Sequence, residues 1–123
     1  MKELATEIHN VLDRIVGPDL KALGYYTPDD YGAIYLCDEM RDEYTEDEVE
    51  AILKNALLET ISQPAHEDLH DERLYVTIRV FEKKADITIT TGENSGVIFA
   101  LDPEGEYSYQ EIIDTVYETV DLD

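Results

Sequence analysis

Residues 73–101 read RLYVTIRVFEKKADITITTGENSGVIFAL, and this stretch decides the fold. Across residues 74–81 large side chains alternate between two faces, and across residues 85–90 apolar and polar residues alternate strictly. A period of two is typical of a β-strand, and Lys83-Lys84 is a link short enough for a hairpin. Residues 97–101 are apolar throughout, which predicts a third strand that is covered on both faces and lies centrally in a sheet.

Helical patterns stand on both sides of this stretch. A first helix is predicted from apolar residues at helical spacing that stop at Gly17-Pro18. These residues are Leu4, Ile8, Val11, Leu12, Ile15 and Val16. The pair Thr45 and Glu48 is a capping box that opens a second helix, which runs to Pro64. Another capping box, residues 108–111, opens a last helix.

A second hairpin is predicted before the middle helix. Residues 20–27 and 31–38 form two short strands, joined by a turn at Pro28-Asp29-Asp30. Residues 19–23 fit a helical turn equally well, so the first strand is open between the two structures, with the hairpin favoured. The element order is then α-β-β-α-β-β-β-α. We expect an α+β fold with a five-stranded, mainly antiparallel sheet flanked by three helices, in a single domain over residues 1–123.

Charge is the unusual property of the composition. The chain has 30 Asp and Glu residues against 9 Lys and Arg, for a formal net charge of −21. Residues 1–40 sum to −5, residues 41–82 to −8 and residues 83–123 to −8, so no acidic tail accounts for it. Repulsion on this scale opposes compaction, but about 1 M salt shortens the screening length to about 3 Å. Since 43% of the residues are hydrophobic, the composition indicates a folded protein adapted to molar salt.

The same composition limits partners and location. Without a basic patch to release counterions from phosphates, direct nucleic-acid binding is not expected. No stretch reaches the roughly 20 apolar residues of a membrane helix. Glu3 and Glu7 lie where a signal peptide would be apolar. Cys37 is the single cysteine, which excludes an internal disulfide and fits a reducing compartment. We therefore expect a cytoplasmic protein that does not enter membranes.

One motif points to catalytic chemistry. Residues 66–70 read HEDLH, a formal H-E-x-x-H. On a helix His66 and His70 lie one turn apart and can share a zinc ion, while Glu67 activates a bound water. However, the strand pattern resumes by Leu74, which leaves barely two turns, and nothing singles out a third ligand. We interpret the segment as a solvated acidic loop or helical turn. His66 and His70 are kept as candidate metal ligands, and no catalytic residue or cofactor is predicted.

Two resemblances add to this interpretation. Asp29-Asp30-Tyr31, residues 44–49 (YTEDEV) and residues 79–82 (RVFE) resemble a family of small acidic haloarchaeal proteins without assigned function. That resemblance implies a halophilic, archaeal source and brings no catalytic residue. The element order is similar to that of the roadblock (dynein light chain type) and profilin-like folds, with terminal helices on one side of the sheet and a middle helix on the other. Because unrelated functions share such folds, this resemblance implies architecture only.

Three hypotheses on function follow. The first is a non-catalytic interaction or regulatory module that forms a homodimer through a sheet edge or the middle helix, since antiparallel sheets leave edge strands that need covering. If residues 74–81 form an edge, their apolar pattern on both faces suits a partner strand. The second is a metal-dependent hydrolase that uses His66, Glu67 and His70. The third is a polyanion mimic that binds a basic protein partner, which requires the carboxylates to form one stripe.

Overall fold

The computed structural model describes residues 1–120, in which five strands form one sheet. The strands are β1 (Leu20–Tyr26), β2 (Tyr31–Leu36), β3 (Val76–Val80), β4 (Ala85–Gly92) and β5 (Ser95–Leu101). Their order across the sheet is β2-β1-β5-β4-β3, and every neighbouring pair is antiparallel. The apolar run is therefore the central strand, as predicted, and β2 and β3 are the two edges.

Five α-helices accompany this sheet in the described residues. They are α1 (Lys2–Ile15), α2 (Asp38–Glu43), α3 (Glu46–Ile61), α4 (Gln63–His70) and α5 (Tyr109–Thr119). The helices α1 and α5 contact each other and share a core with one face of the sheet, while α3 packs on β1, β2 and β5 from the other face. The predicted α+β class and element order are confirmed, with α2, α3 and α4 together in the place of the predicted middle helix.

The two faces of the sheet bury cores of different size. The larger core lies between the sheet and α1 and α5, where apolar side chains at helical spacing meet inward-facing strand residues. It includes Ile8, Leu12, Leu23, Ile87, Ile89, Val97, Phe99, Leu101, Ile112 and Val116. The smaller core lies under α3 and contains Tyr26, Leu53, Ala56 and Ile98. At its margin the buried hydroxyls of Tyr26 and Thr60 share a hydrogen bond of 2.5 Å. On that face α3 packs mainly on β1, β2 and β5, while Glu59 of α3 pairs with Arg79 of β3 and Gln63 of α4 bonds to Thr90 of β4.

The structure raises the number of helices from the predicted three to five, for physical reasons. The short helix α2 lies between the predicted second strand and the predicted middle helix, where the sequence predicted no element. Its first turn carries Asp38 and Glu39, which interact favourably with the positive helix N-terminus, and Met40 is its one buried residue. The helix α4 has no fully buried residue at all. Neither helix has an apolar stripe, which is the signal that sequence periodicity detects.

The structure also decides two local questions. Residues 20–26 are strand β1, because pairing with β2 on one side and β5 on the other outweighs the local helical tendency. The helical turn is displaced to Gly17–Asp19, a single turn of 3-10 helix. The Thr45 and Glu48 capping box is present in full. At the start of α5, Ser108 accepts a hydrogen bond from the Glu111 backbone N–H, which is the cap without the reciprocal half of the box.

Candidate functional site

The two histidines predicted as metal ligands lie on α4. Pro64 fits the first turn of this helix, where a backbone N–H has no intrahelical partner, and Asp71 ends the helix in the left-handed region with φ of 54°. His66 and His70 are four residues apart and therefore project from one side of the helix. Both side chains are exposed. The short segment thus gives the histidine pair the helical spacing that the motif requires.

Glu67, the residue that would activate water in a hydrolase, has a structural partner. Its Oε2 atom accepts a hydrogen bond of 2.9 Å from the backbone N–H of Leu74. This bond ties α4 to the segment that leads into β3. Within residues 1–120, no group of three or more His, Cys, Asp or Glu side chains is placed to hold a metal ion. Metal binding by His66 and His70 stays a prediction.

A groove of about 540 Å³ separates α4 and the end of α3 from β3. His66, Glu67 and His70 line it on one side, and Thr77 and Arg79 of β3 line it on the other. Much of its polar lining is satisfied within the protein. Arg79 forms an ion pair with Glu59, and one oxygen of the Glu67 carboxylate accepts the hydrogen bond from the Leu74 N–H. The groove therefore brings the predicted motif beside the edge strand without assembling a set of free converging catalytic groups.

Within residues 1–120, the strand β3 presents unpaired backbone groups at the edge of the sheet. Two hydrogen bonds show which residues of this segment bond to β4: the Thr90 N–H donates to the Tyr75 carbonyl, and the Phe81 N–H donates to the Lys84 carbonyl. In an antiparallel pair the residues alternate between bonding to the neighbour and pointing away from it. The register of β3 on β4 therefore directs the N–H and C=O groups of residues 76, 78 and 80 outward.

The same edge exposes large apolar side chains. Ile78 is 38% exposed and Val80 is 64% exposed, because α1 and α5 cover the strands further in and leave this edge uncovered. Next to the strand, Tyr75 is 46% exposed and Phe81 is 48% exposed. An open strand with an apolar surface is a template for pairing with another chain. The sequence-based condition that residues 74–81 form an edge is met, with the strand itself restricted to Val76–Val80.

Residues 73–84 are also a basic segment of an acidic sequence, in which Arg79 pairs with Glu59 and Lys84 lies 4.0 Å from Asp86. They hold four of the nine basic residues and one acidic residue, Glu82, so four minus one gives a net charge of +3. Arg73 lies over the ring of Tyr75, with 4.8 Å between its guanidinium carbon and the ring centroid. Sequence reasoning about a missing basic patch overlooked this cluster. A charge count over this short segment would have found the cluster. The sums over residues 1–40, 41–82 and 83–123 hid it, because each of those ranges is acidic overall.

Other sequence candidates do not come together into a site. The rings of His9 and Tyr35 lie 5.2 Å apart between centroids with a tilt of 42°, and Cys37 is partly exposed next to the start of α2. An apolar gap of about 50 Å³ lies between α3 and the sheet, with Lys84 and Asp86 among its lining residues. Burial raises the pKa of the Asp86 carboxyl, and the nearby Lys84 partly opposes that shift. These features describe packing, and we assign them no chemistry.

Comparison with known proteins places the chain in a family. A family model described as "Domain of unknown function (DUF7522)" matches residues 6–121. The chain belongs to the DUF7522 family. No curated protein matches it, so DUF7522 membership brings no activity with it. Within the described residues of this DUF7522 member, no helix has both the length and the apolar composition needed to cross a bilayer.

Proposed function

We propose that this DUF7522 protein is a non-catalytic interaction module that self-associates, and that the open edge of β3 is the surface it uses. The observation that carries this proposal is the combination on one short strand of outward backbone groups and the exposed side chains of Ile78 and Val80. Backbone hydrogen bonds supply affinity in strand addition, and alternate side chains supply specificity. The smallest assembly of this kind is a homodimer.

Charge adds support for this surface. Two molecules that each carry a net charge of −21 repel one another over most approaches. Residues 73–84, with a net charge of +3, make the electrostatic potential at the β3 edge less negative. A second molecule therefore meets the smallest electrostatic barrier at the place where the backbone is also unpaired.

The alternatives have weaker support. A metal-dependent hydrolase needs Glu67 directed at a metal-bound water, whereas one oxygen of its carboxylate accepts a hydrogen bond from the Leu74 N–H, which directs the side chain toward the start of β3. A polyanion mimic needs its carboxylates in one stripe, whereas acidic residues occur in all five helices and the basic cluster interrupts them. We keep both as hypotheses that a metal content measurement and a binding screen with basic proteins can test.

The setting of this function is part of the proposal. We propose a halophilic, archaeal protein that works in the cytoplasm as a single domain over residues 1–123, without direct contact with nucleic acid or membranes. Its support is the acidic composition and the resemblance to small haloarchaeal proteins and, in element order, to roadblock and profilin-like folds. The arrangement of α1 and α5 on one face and α3 on the other agrees with that element-order resemblance.

Light scattering coupled to size exclusion in molar potassium chloride tests self-association. The monomer mass is 14.1 kDa, and we expect a larger mass that rises with concentration. Val80→Asp should give a monomer, because an added negative charge at this edge opposes strand pairing with a second acidic molecule. Leu58→Asp is the matched control, since Leu58 on α3 has the same 64% exposure as Val80.

The outcomes separate the possible surfaces. A wild type that stays monomeric up to high concentration overturns the proposal. A Leu58→Asp monomer beside an associated Val80→Asp variant would move the interface to the middle helix and remove the role of the β3 edge. Circular dichroism of both variants should match the wild type, which shows that any loss of mass reflects association and not unfolding.

A further inference from the structure

Among the residues that the structure describes, the sheet has a second open edge, which belongs to β2. The Thr27 N–H donates to the Asp30 carbonyl, and this bond shows which residues at the start of β2 bond to β1. By the same alternation as in β3, the register directs the backbone groups of Tyr31 and Ala33 outward. Tyr31 is 40% exposed and Ala33 is also exposed. The edge of β2 can therefore accept or provide a strand.

The sequence segments that contain the two edge strands have opposite net charges. Residues 28–39, which contain β2 and both its flanks, hold four acidic residues and no basic residue, for a net charge of −4. The acidic residues are exposed and stand in pairs, Asp29 with Asp30 before the strand and Asp38 with Glu39 after it. Glu39 has Lys21 as an ion-pair partner at 3.2 Å. In residues 73–84 three of the four basic residues likewise stand at the ends, Arg73 before β3 and Lys83-Lys84 after it, while Arg79 within the strand pairs with Glu59.

The direction of the strands makes these two edges compatible. Four successive antiparallel pairings separate β2 from β3, so the two edge strands run in the same direction. A second copy shifted sideways without rotation continues the sheet, with its β2 parallel to β3 and its helices on the same faces. In that position Asp29 and Asp30 of the second copy lie at the Arg73 end of β3. Its Asp38 and Glu39 lie at the Lys83 end.

A twofold pairing of two β3 edges gives a less favourable charge arrangement. Rotation about an axis normal to the sheet makes the two β3 strands antiparallel. With Ile78 opposite its own copy, Arg73 then lies opposite Lys83 of the second molecule. Like charges opposite one another on paired strands are destabilising, and opposite charges are stabilising. The charges at the strand ends therefore favour β2 of the second copy over its β3.

We propose that the self-association described above is head-to-tail, with the basic β3 edge of one copy pairing with the acidic β2 edge of the next. This inference rests on the proposed self-association and adds the surface that β3 recognises. Because the contact joins two different edges, each added copy leaves one β3 and one β2 edge free, and the assembly is open and not closed at the dimer.

Two blocked variants and their mixture test the pairing. Ile78→Pro removes an outward N–H from β3, and Ala33→Pro removes one from β2, so neither substitution breaks a bond within the sheet. We expect the wild type to grow past the dimer as concentration rises, as measured by sedimentation velocity. Each variant alone should stay monomeric or nearly so. A 1:1 mixture should form a dimer and nothing larger, through the intact β2 of one variant and the intact β3 of the other.

Other results would overturn this inference in distinguishable ways. If Ala33→Pro alone forms a stable dimer and Ile78→Pro does not, β3 pairs with β3, and only the head-to-tail arrangement fails. If the mixture stays monomeric while the wild type associates, neither edge pairing is correct. If the wild type is monomeric, the proposed function fails as well. Val80→Asp and Ala33→Lys, which each give an edge the charge of the edge it is proposed to pair with, repeat the experiment without proline, should either proline variant lose the circular dichroism spectrum of the fold.

Discussion

Gly96 shows how a single position limits what β5 can carry. A Cβ atom built at Gly96 would lie 2.7 Å from the backbone oxygen of Ile89, and it would also collide with the Tyr26 hydroxyl. Backbone cannot move aside as the end of a side chain can, so Gly96→Ala should cost about 3 kcal/mol of unfolding free energy. Gly17→Ala is the comparison, because Gly17 has φ of 50° and open space around it. Gly17→Ala should lower the unfolding free energy by only about 1 kcal/mol, which is the cost of holding an alanine in the left-handed conformation. Denaturant unfolding of both variants checks the order.

Asp86 gives a pH-dependent prediction. Burial raises the pKa of its carboxyl above the ordinary 3.8, and attraction to Lys84 and Arg79 offsets only part of that shift. An acid with a raised folded-state pKa favours its neutral form in the fold, so it destabilises the fold progressively as pH rises from about 3.8 through the folded-state value. Asp86→Asn removes this penalty. Its unfolding free energy relative to wild type should therefore increase over that pH window and stay constant above it.

The comparison at each pH is between variant and wild type, which cancels the titration of the other carboxylates. Thermal unfolding from pH 3 to pH 7 measures it, with Asp114→Asn on the exposed face of α5 as the control. A difference for Asp86→Asn that falls as pH rises would mean that Lys84 and Arg79 stabilise the carboxylate more than burial destabilises it.

Among the elements, the link between α4 and β3 depends on Glu67. Its carboxylate accepts the hydrogen bond from the Leu74 N–H at 2.9 Å, so Glu67→Ala should cost about 1–2 kcal/mol. Hydrogen exchange of the Leu74 amide, followed by NMR, should speed up in the same variant. Asp68→Ala changes the neighbouring exposed carboxylate and should leave both quantities close to wild type. Equal effects of the two substitutions would contradict a structural role for Glu67.

Elements with their own apolar pattern were predictable from the sequence, and short elements without one were not. The strands β3, β4 and β5 follow from period-two alternation and an unbroken apolar run, and α1, α3 and α5 from stripes and caps. The helix α2 has a single buried residue, Met40, and α4 has none, so no periodicity could reveal them. The ambiguity over residues 20–26 needed the long-range pairing with β5, which local sequence does not contain.

The candidate surface followed only partly from the sequence, because it is a property of the whole molecule. The apolar pattern of β3 could be recognised in the sequence of residues 74–81. Its position at an edge depends on the order of all five strands, which the sequence does not show. The opposite charges of the β2 and β3 edges were readable as local counts. They acquire meaning only because the topology places both strands at open edges and runs them in the same direction. The His66 and His70 pair was readable, and the sequence could not show that Glu67 has a backbone partner.

The charge of the whole molecule leads to the broadest prediction. At about 0.01 M salt the screening length is about 30 Å, so carboxylates across the molecule repel one another, whereas at about 1 M it is about 3 Å. With a net charge of −21, the unfolding free energy should rise by several kcal/mol, on the order of 3, as potassium chloride increases over that range. The same titration near pH 4.1, the isoelectric point of the sequence, is the control, because the net repulsion is then close to zero and most of the salt dependence should disappear. Equal thermal stability in dilute and molar salt at neutral pH would contradict the halophilic interpretation, and the acidic surface would then need a basic partner to account for it.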